Sequence, residues 1–410
     1  ERYKNAVFEG IRKYDLNHGQ VGGRFSGDEH LSGRSPDRGT ELCSVVEYMF
    51  SLEELYQIFG ENSLADRLEL LTYNSLPGTT TADMWAHQYD QQSNQVLVSV
   101  AKRDWSTNRD QSNIYGLMPN FACCLANMHQ GWPKFTQSLW MATNDNGLIA
   151  VAYAPSKVTA KVGKGTEVII KEETDYPFRG KITFTIYTDK SVKFPLYLRI
   201  PGWAKTVTIK YKNKMSTAFG GSTIRLDEKW KNGDTVEVDI PMELRFERRY
   251  NNSVSVLRGP LYFSLRIEKE YRKTKLNYDN FSYKGSVDWE IYPCSSWNYG
   301  LFADLSKPDI SFVVYENPVK EYPFADSGDM VWSSDSSKYV VWQSDPPVII
   351  KTRGIKIPEW GMKNNSADIP PRSPVKSTGE PEMITLVPYG SAKLRITEFP
   401  LIDVGFMDKQ

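Results

Sequence analysis

The sequence predicts a multidomain α plus β protein, with helices in the first part of the chain and antiparallel β-sandwich domains after it. Two observations predict this class. Apolar residues recur every three to four positions up to about residue 145, then alternate with polar ones beyond about Gly147. The two patterns are segregated along the chain, which implies separate helical and sheet domains rather than interleaved βαβ units. At 410 residues, 40% hydrophobic and 24% charged, the chain can build two or three globular domains.

Residues 1–145 read as helical. Val45, Val46, Met49, Phe50, Leu55, Ile58 and Phe59 mark one face of a helix, and Gly60 supplies the stop. A second helix is expected from Ser63 to Asn74 on Leu64, Leu68 and Leu71, closed by Pro77-Gly78. A third runs from about Leu125 to Met141. Pro133 predicts a break or late start there, because proline lacks the N–H that a helix interior uses.

Strands follow. Ile182, Phe184 and Ile186 alternate with Thr183, Thr185 and Tyr187, and Leu196, Leu198 and Ile200 alternate with Tyr197 and Arg199. Val236, Val238 and Ile240 come after an Asn232-Gly233 turn. Residues 146–265 are read as one β-sandwich, with return strands at about 384–400, where Ile384–Val387 and Ala392–Thr397 form a closing pair. Residues 266–383 are read as a second sandwich carrying a long surface loop, 356–381, rich in Pro, Ser and Asn.

Fifty basic residues balance fifty acidic ones, with a pI near 7.1, so the chain has neither a nucleic-acid footprint nor a polybasic membrane patch. No apolar run approaches the roughly 18 residues that a membrane-spanning helix needs. Eleven Trp and 23 Tyr suit sugar stacking and the filling of sandwich cores equally, and decide nothing alone. The sequence starts at Glu1 without a readable leader, so periplasmic, secreted and cytoplasmic locations all stay open.

Three features carry chemistry. Glu41-Leu42-Cys43 places a carboxylate and a thiol at i and i+2, on one face if the backbone is extended. Cys123-Cys124 adds two thiols, and together these form an S₃O donor set suited to tetrahedral zinc, with Zn–S about 2.3 Å. Gly22 to Glu29 is a glycine-rich acidic loop able to present a carboxyl group to a cleft. Buried thiols used as packing, or a disulfide between the adjacent cysteines, explain the same spacing. His18 and His30 flank the loop, His87 lies beside Tyr89, and His129 is expected to cap or pack; none is expected to bind metal. Cys294 has no sequence partner and is read as structural.

Seven segments, in order, resemble glycoside hydrolase family 127: Gly22–Glu29, Glu41–Ser44 (ELCS), Phe121–Asn127 (FACCLAN), Leu198–Ala204 (LRIPGWA), Gly233–Met242 (GDTVEVDIPM), Arg258–Leu265 (RGPLYFSL) and Leu386–Thr397 (LVPYGSAKLRIT). The resemblance implies the second half of an (α/α)₆ barrel followed by β-sandwich domains. It implies zinc held by Glu41, Cys43, Cys123 and Cys124, with Cys123 as nucleophile. It also implies Glu29 as general acid/base, with Asp28 the alternative, and sugar contacts from Glu69 and Tyr89. For both contacts an ordinary structural role is an equal alternative.

The implied reaction is retaining exo-glycoside hydrolysis of the β-L-arabinofuranosidase type on plant-derived glycans. A zinc-tuned thiolate replaces the usual carboxylate nucleophile. ELCS stands where ETCA is usual, and CCLANMHQGWPKF where CCPPN is usual, which points to a different sugar. The competing reading is a non-catalytic carbohydrate-binding or structural protein that keeps the fold. A redox or metal-storage role fits less well, because the thiols sit among glycosidase motifs. The first barrel half is expected from several hundred residues upstream or from a separate chain. Without it, the inner face of Val45–Phe59 is expected to lie open.

Overall fold

A computed structural model describes residues 1–274 and 287–403. Among the described residues the long helices are Arg2–His18, Leu42–Phe59, Asn62–Leu70 and Cys123–Ser138. The rest is mostly β-strand and loop, and a closed (α/α)₆ barrel is not formed by the described residues. Stretches 19–41 and 79–122, expected within a helical region, are largely irregular apart from short strands.

The helix on Val45, Val46 and Met49 starts at Leu42 and ends at Phe59, where Gly60 adopts φ 64° and its N–H bonds Tyr56 O. A left-handed glycine closes a helix without the penalty a Cβ would bring. Val45, Val46, Met49 and Leu52 are all buried within this chain, so the first three turns of the face expected to lie open are already covered, while Ile58 near its end is exposed. Part of the cover is Cys123–Ser138, which approaches closely at Gly131, where a Cβ would meet Leu76 at 3.1 Å and Val46 at 3.5 Å.

That helix also passes through Pro133 without a break. The lost backbone bond is tolerated because Phe135, two residues on, is fully seated in the core. The second helix is α-helical over Asn62–Leu70, then widens to a π turn over Leu71–Ser75. Thr72 Oγ1 bonds Leu68 O at 2.8 Å and Asn74 Nδ2 bonds Leu70 O at 2.9 Å, side-chain competition that loosens the ladder.

The alternating segments become sheets as expected. A six-stranded antiparallel sheet includes Thr166–Thr174, Lys181–Tyr187, Thr206–Tyr211 and Thr235–Asp239. A four-stranded sheet contains Val192–Arg199 and Thr223–Trp230. Ile182, Phe184 and Ile186 of the first and Leu196 and Leu198 of the second are fully buried in one core. A seven-stranded sheet then joins Leu244–Arg248, Val254–Arg258 and Leu261–Leu265 to Glu382–Pro388, Val348–Lys356, Tyr299–Leu301 and Phe312–Glu316. These strands share hydrogen bonds across the boundary expected near residue 265.

The expected closing strand Ala392–Thr397 is a correction. Only Arg395–Ile396 is extended and paired, and its partner is Asn94–Gln95 of the first part rather than Ile384–Val387. The cause lies in residues 87–95, an almost wholly polar run that is completely buried. Its side chains bond distant backbone: Gln91 donates to Ser75 O, Gln95 to Lys393 O, and Asn94 Oδ1 accepts the amides of Thr397 and Glu398. Buried polar groups must be paired, and here the pairing cements the helical part to the end of the chain.

Candidate functional site

The strand Gly39–Glu41 pairs antiparallel with Asp90–Gln92, setting Glu41 opposite Asp90. Glu41 is extended (φ −65°, ψ 139°) and caps the helix that begins at Leu42, so Cys43 already lies in the first helical turn. Glu41 and Cys43 therefore converge at a strand-to-helix junction, not by the alternation of one strand. Cys123 and Cys124 open the second helix. The two N-termini meet, and their unpaired N–H groups favour negative charge at the thiols.

Cys43 Sγ lies 3.3 Å from Cys124 Sγ, and the sulfurs of Cys123 and Cys124 each lie 3.8 Å from Glu41 Oε1. All four donor atoms fall within 4.8 Å of one another. A tetrahedral zinc with Zn–S near 2.3 Å needs donors about 3.8 Å apart, so the set fits a zinc-sized ion. The four cysteines are free, and no bond joins Cys123 to Cys124.

Crowding controls protonation. Burial, followed by the Cys43 thiol, pushes the Glu41 carboxyl up to about 8. A hydrogen bond with Cys124 is the main cause that lowers Cys43 to about 6, and burial raises Cys123 to about 11 and Cys124 well above its usual range. Four acids this close cannot all ionise by themselves. A divalent cation held here would supply the missing positive charge.

Glu29 and Tyr89 meet beside this cluster. The buried Tyr89 hydroxyl donates to Glu29 Oε1 at 2.9 Å, and the Tyr89 carbonyl accepts the amide of Leu42, between Glu41 and Cys43. Burial and then the charge of Glu41 raise the Tyr89 phenol, so it stays a donor. Glu29 itself is exposed.

Asp28 is fully engaged elsewhere. It accepts from Thr107 N (2.8 Å), Asn108 Nδ2 (3.0 Å) and Glu29 N (2.8 Å), and pairs with His30 Nδ1 at 3.0 Å. Burial works to raise its carboxyl, but the bonds from Thr107, Ser106 and Asn108 hold it below the ordinary aspartate value.

Glu69 is not brought to the cluster. It is fully buried, with its carboxylate 2.6 Å from Arg199 and 2.7 Å from the Tyr176 hydroxyl, where helix Asn62–Leu70 meets the sandwich. Its carboxylate is engaged in this internal ion pair. Of the histidines, His18 accepts the Gly33 amide through Nδ1, His87 is buried, and His129 is exposed on its helix. Cys294 is exposed in the sheet region.

Two groups beside the site, the Phe121 ring and the Arg109 guanidinium, are not among the sequence candidates. Phe121 packs edge-on against Tyr89 at 6.1 Å, and the Arg109 guanidinium lies 5.3 Å over Phe121. Phe121 stands two residues before Cys123, and that proximity is the signal by which it could be found. Asp90, opposite Glu41, is a third overlooked group. It is completely buried, and burial, then the charge of Asp28, lift its carboxyl well above normal.

Residues 17–137 match the family model for the β-L-arabinofuranosidase GH127 catalytic domain, and residues 147–242 match that for the GH127 middle domain. The two together cover more than half of the chain. Among solved structures, a GH127 β-L-arabinofuranosidase from Geobacillus stearothermophilus T6 is similar at 16% identity and TM-score 0.61, over 93% of this chain and 54% of its own. A second GH127 β-arabinofuranosidase matches at 17% and 0.61, over 94% and 54%. A structure described as a glycoside hydrolase matches at 16% and 0.59, over 91% and 54%. The chain thus spans about half the length of these structures, and the likeness is one of fold. No curated protein matches by sequence.

Proposed function

Because this chain belongs to glycoside hydrolase family 127, we propose that it is the thiol-bearing part of a retaining exo-glycosidase of the β-L-arabinofuranosidase type, acting on plant-derived glycans. The observation that carries this reading is the exposed Cys123 within a four-donor cluster, beside the Tyr89–Glu29 pair. Of the three thiols in the cluster, Cys124 is buried, Cys43 half-buried and Cys123 exposed, so Cys123 is the one a sugar can reach.

In this reading Glu41, Cys43, Cys123 and Cys124 would hold zinc, which would supply the positive charge that keeps the thiols ionised at neutral pH. Cys123 Sγ attacks the anomeric carbon while Glu29 donates its proton to the departing oxygen. The C–O bond breaks as the C–S bond forms. Glu29, now a carboxylate, takes a proton from water, which attacks the same carbon and expels the thiolate. Two inversions return the original configuration. Tyr89 holds Glu29 in place throughout.

Residues 1–145 read in this light as the second half of a helical barrel, the first half coming from a segment outside this chain. An open apolar groove of about 430 Å³ between Arg2–His18 and Leu42–Phe59, walled by Val7, Ile11, Tyr14 and Tyr48, is a seat for it.

The test uses the full-length protein on an aryl β-L-arabinofuranoside, followed by intact-mass analysis after rapid acid quench. A sugar-sized mass increase that maps to Cys123, and is lost in Cys123→Ser, is expected. Turnover that persists in Cys123→Ser would refute the nucleophile assignment.

A further inference from the structure

A sizeable cavity lies away from the thiols. It measures about 770 Å³ and opens between the C-terminal ends of Leu42–Phe59 and Cys123–Ser138 and the sheet edge at Trp140–Ala142. The two helices run side by side in the same direction: Cys43 meets Cys124 near their starts, and Lys134 Nζ sits 3.8 Å over the Phe50 ring farther along. Ten residues of helix separate Cys43 from Glu53, so the cavity lies about 15 Å along the axis from the cluster.

Glu53 marks this cavity as more than a crevice. Its side chain lines the space at 4% exposure, yet its Oε1 has no hydrogen-bond partner. Leaving a carboxyl oxygen buried and unpaired is a cost that a bound hydroxyl removes. Burial also pushes the Glu53 carboxyl up to about 7, opposed by Ser138 and Lys134.

The lining indicates the class of ligand. Glu53 and Glu54 accept, Gln57 and Gln137 both donate and accept, and Trp140 and Tyr197 put rings at the wall. Charges of both signs are present and Lys134 is already engaged with Phe50, which disfavours an anion. The volume lies within the roughly 300–1,000 Å³ usual for small-ligand sites. Mixed donors and acceptors beside an aromatic face suit sugar hydroxyls and the C–H faces of a pyranose or furanose.

We propose that this cavity is a second, non-catalytic binding site for a neutral oligosaccharide segment, with Glu53 accepting hydroxyl hydrogen bonds and Trp140 offering its ring. It would hold a glycan chain on the enzyme at a distance from the thiol cluster. The class of ligand follows from the lining and does not depend on which bond the cluster cleaves.

Affinity electrophoresis of the full-length protein through gels containing arabinan, arabinogalactan or xylan tests it. Retardation by at least one of these is expected, with about tenfold weaker binding in Glu53→Gln and in Gln137→Ala. Turnover of a small aryl glycoside should be unchanged in both variants. Glu53→Gln keeps the shape of the side chain, and a melting curve checks its fold; Gln137 is exposed, so Gln137→Ala decides the matter if the first variant is unstable. Absence of retardation in all three gels, or retardation that survives both substitutions, overturns the proposal. So does a crystal structure of the full-length protein with polypeptide filling the cavity. Loss of aryl-glycoside turnover in Cys123→Ser, with retardation intact, separates this site from the cluster.

Discussion

The hydroxyl of Tyr89 bonds Glu29 at 2.9 Å while the backbone carbonyl of the same residue bonds the amide of Leu42 at 2.9 Å, so one residue ties the exposed acid to the junction that carries Glu41 and Cys43. Tyr89 is therefore a positioning residue for Glu29 in the proposed reaction. Tyr89→Phe keeps the buried ring and the backbone bond and removes only the hydroxyl. A hydrogen bond to a charged group is worth about 1.5–3 kcal/mol, so kcat/KM on an arabinofuranoside should fall about 10- to 100-fold. Zinc content and melting temperature should barely change. Unaltered kcat/KM would mean that Glu29 is not held by Tyr89 when it works.

Glu29 and Asp28 are neighbours with different surroundings, and the difference separates their variants. Glu29→Gln removes an exposed carboxyl and should cut turnover of substrates with poor leaving groups by about 10²–10⁴-fold. Substrates with activated leaving groups should lose much less of their first, glycosylating step. Asp28→Asn instead disturbs the acceptor shared by Thr107, Asn108 and Glu29, and should lower stability and activity together whatever the leaving group. A leaving-group dependence found for Asp28→Asn and not for Glu29→Gln would exchange the two roles.

Metal content is the third expectation. Protein purified without chelator and under reducing conditions should hold about one zinc per chain, and Cys43→Ala or Cys124→Ala should abolish it. Binding must displace protons, because burial holds Glu41 near 8 and Cys123 near 11 when no cation is present. Affinity should therefore rise as pH rises and weaken steadily on acidification below about pH 8. Competition titrations with a chromophoric chelator at pH 6, 7 and 8 read this slope. A flat profile would show that binding releases no protons from these groups.

Much of the fold is legible locally, because strand alternation and helix periodicity are local signals. Phe184 and Leu198 point inward for the reason their spacing predicts. Gly60 ends its helix as a left-handed cap. What is not legible depends on partners remote in sequence. Pro133 stays within a helix because the core packing of Phe135, two residues on, outweighs one missing bond. Residues 87–95 look like a solvated loop, yet they are buried because Ser75, Lys393 and Thr397 complete their hydrogen bonds. Within the site, spacing alone leaves the thiols ambiguous. Glu41 and Cys43 share a side through a strand-to-helix turn that the i, i+2 pattern does not encode. Glu69 and Arg199 are 130 residues apart, and nothing in either local sequence announces their pairing.

That pair supplies the last prediction. Arg199 ends a sandwich strand and reaches both Glu69 and Asp66 on the helix Asn62–Leu70, locking the helical part to the sheet. The Glu69 and Arg199 side chains are completely buried. Removing Glu69 leaves the buried Arg199 charge with Asp66 alone, and breaking such a buried pair costs up to about 3–5 kcal/mol. Glu69→Ala should lower the melting temperature and the denaturation midpoint sharply, and Glu69→Gln should do so by less, since the amide still bonds Tyr176. If Glu69 instead touched sugar, Glu69→Gln would raise KM while leaving the melt unchanged. Thermal melts and KM measured on the same preparations separate the two roles. The buried geometry predicts a large shift in stability with KM nearly constant in the protein that remains folded.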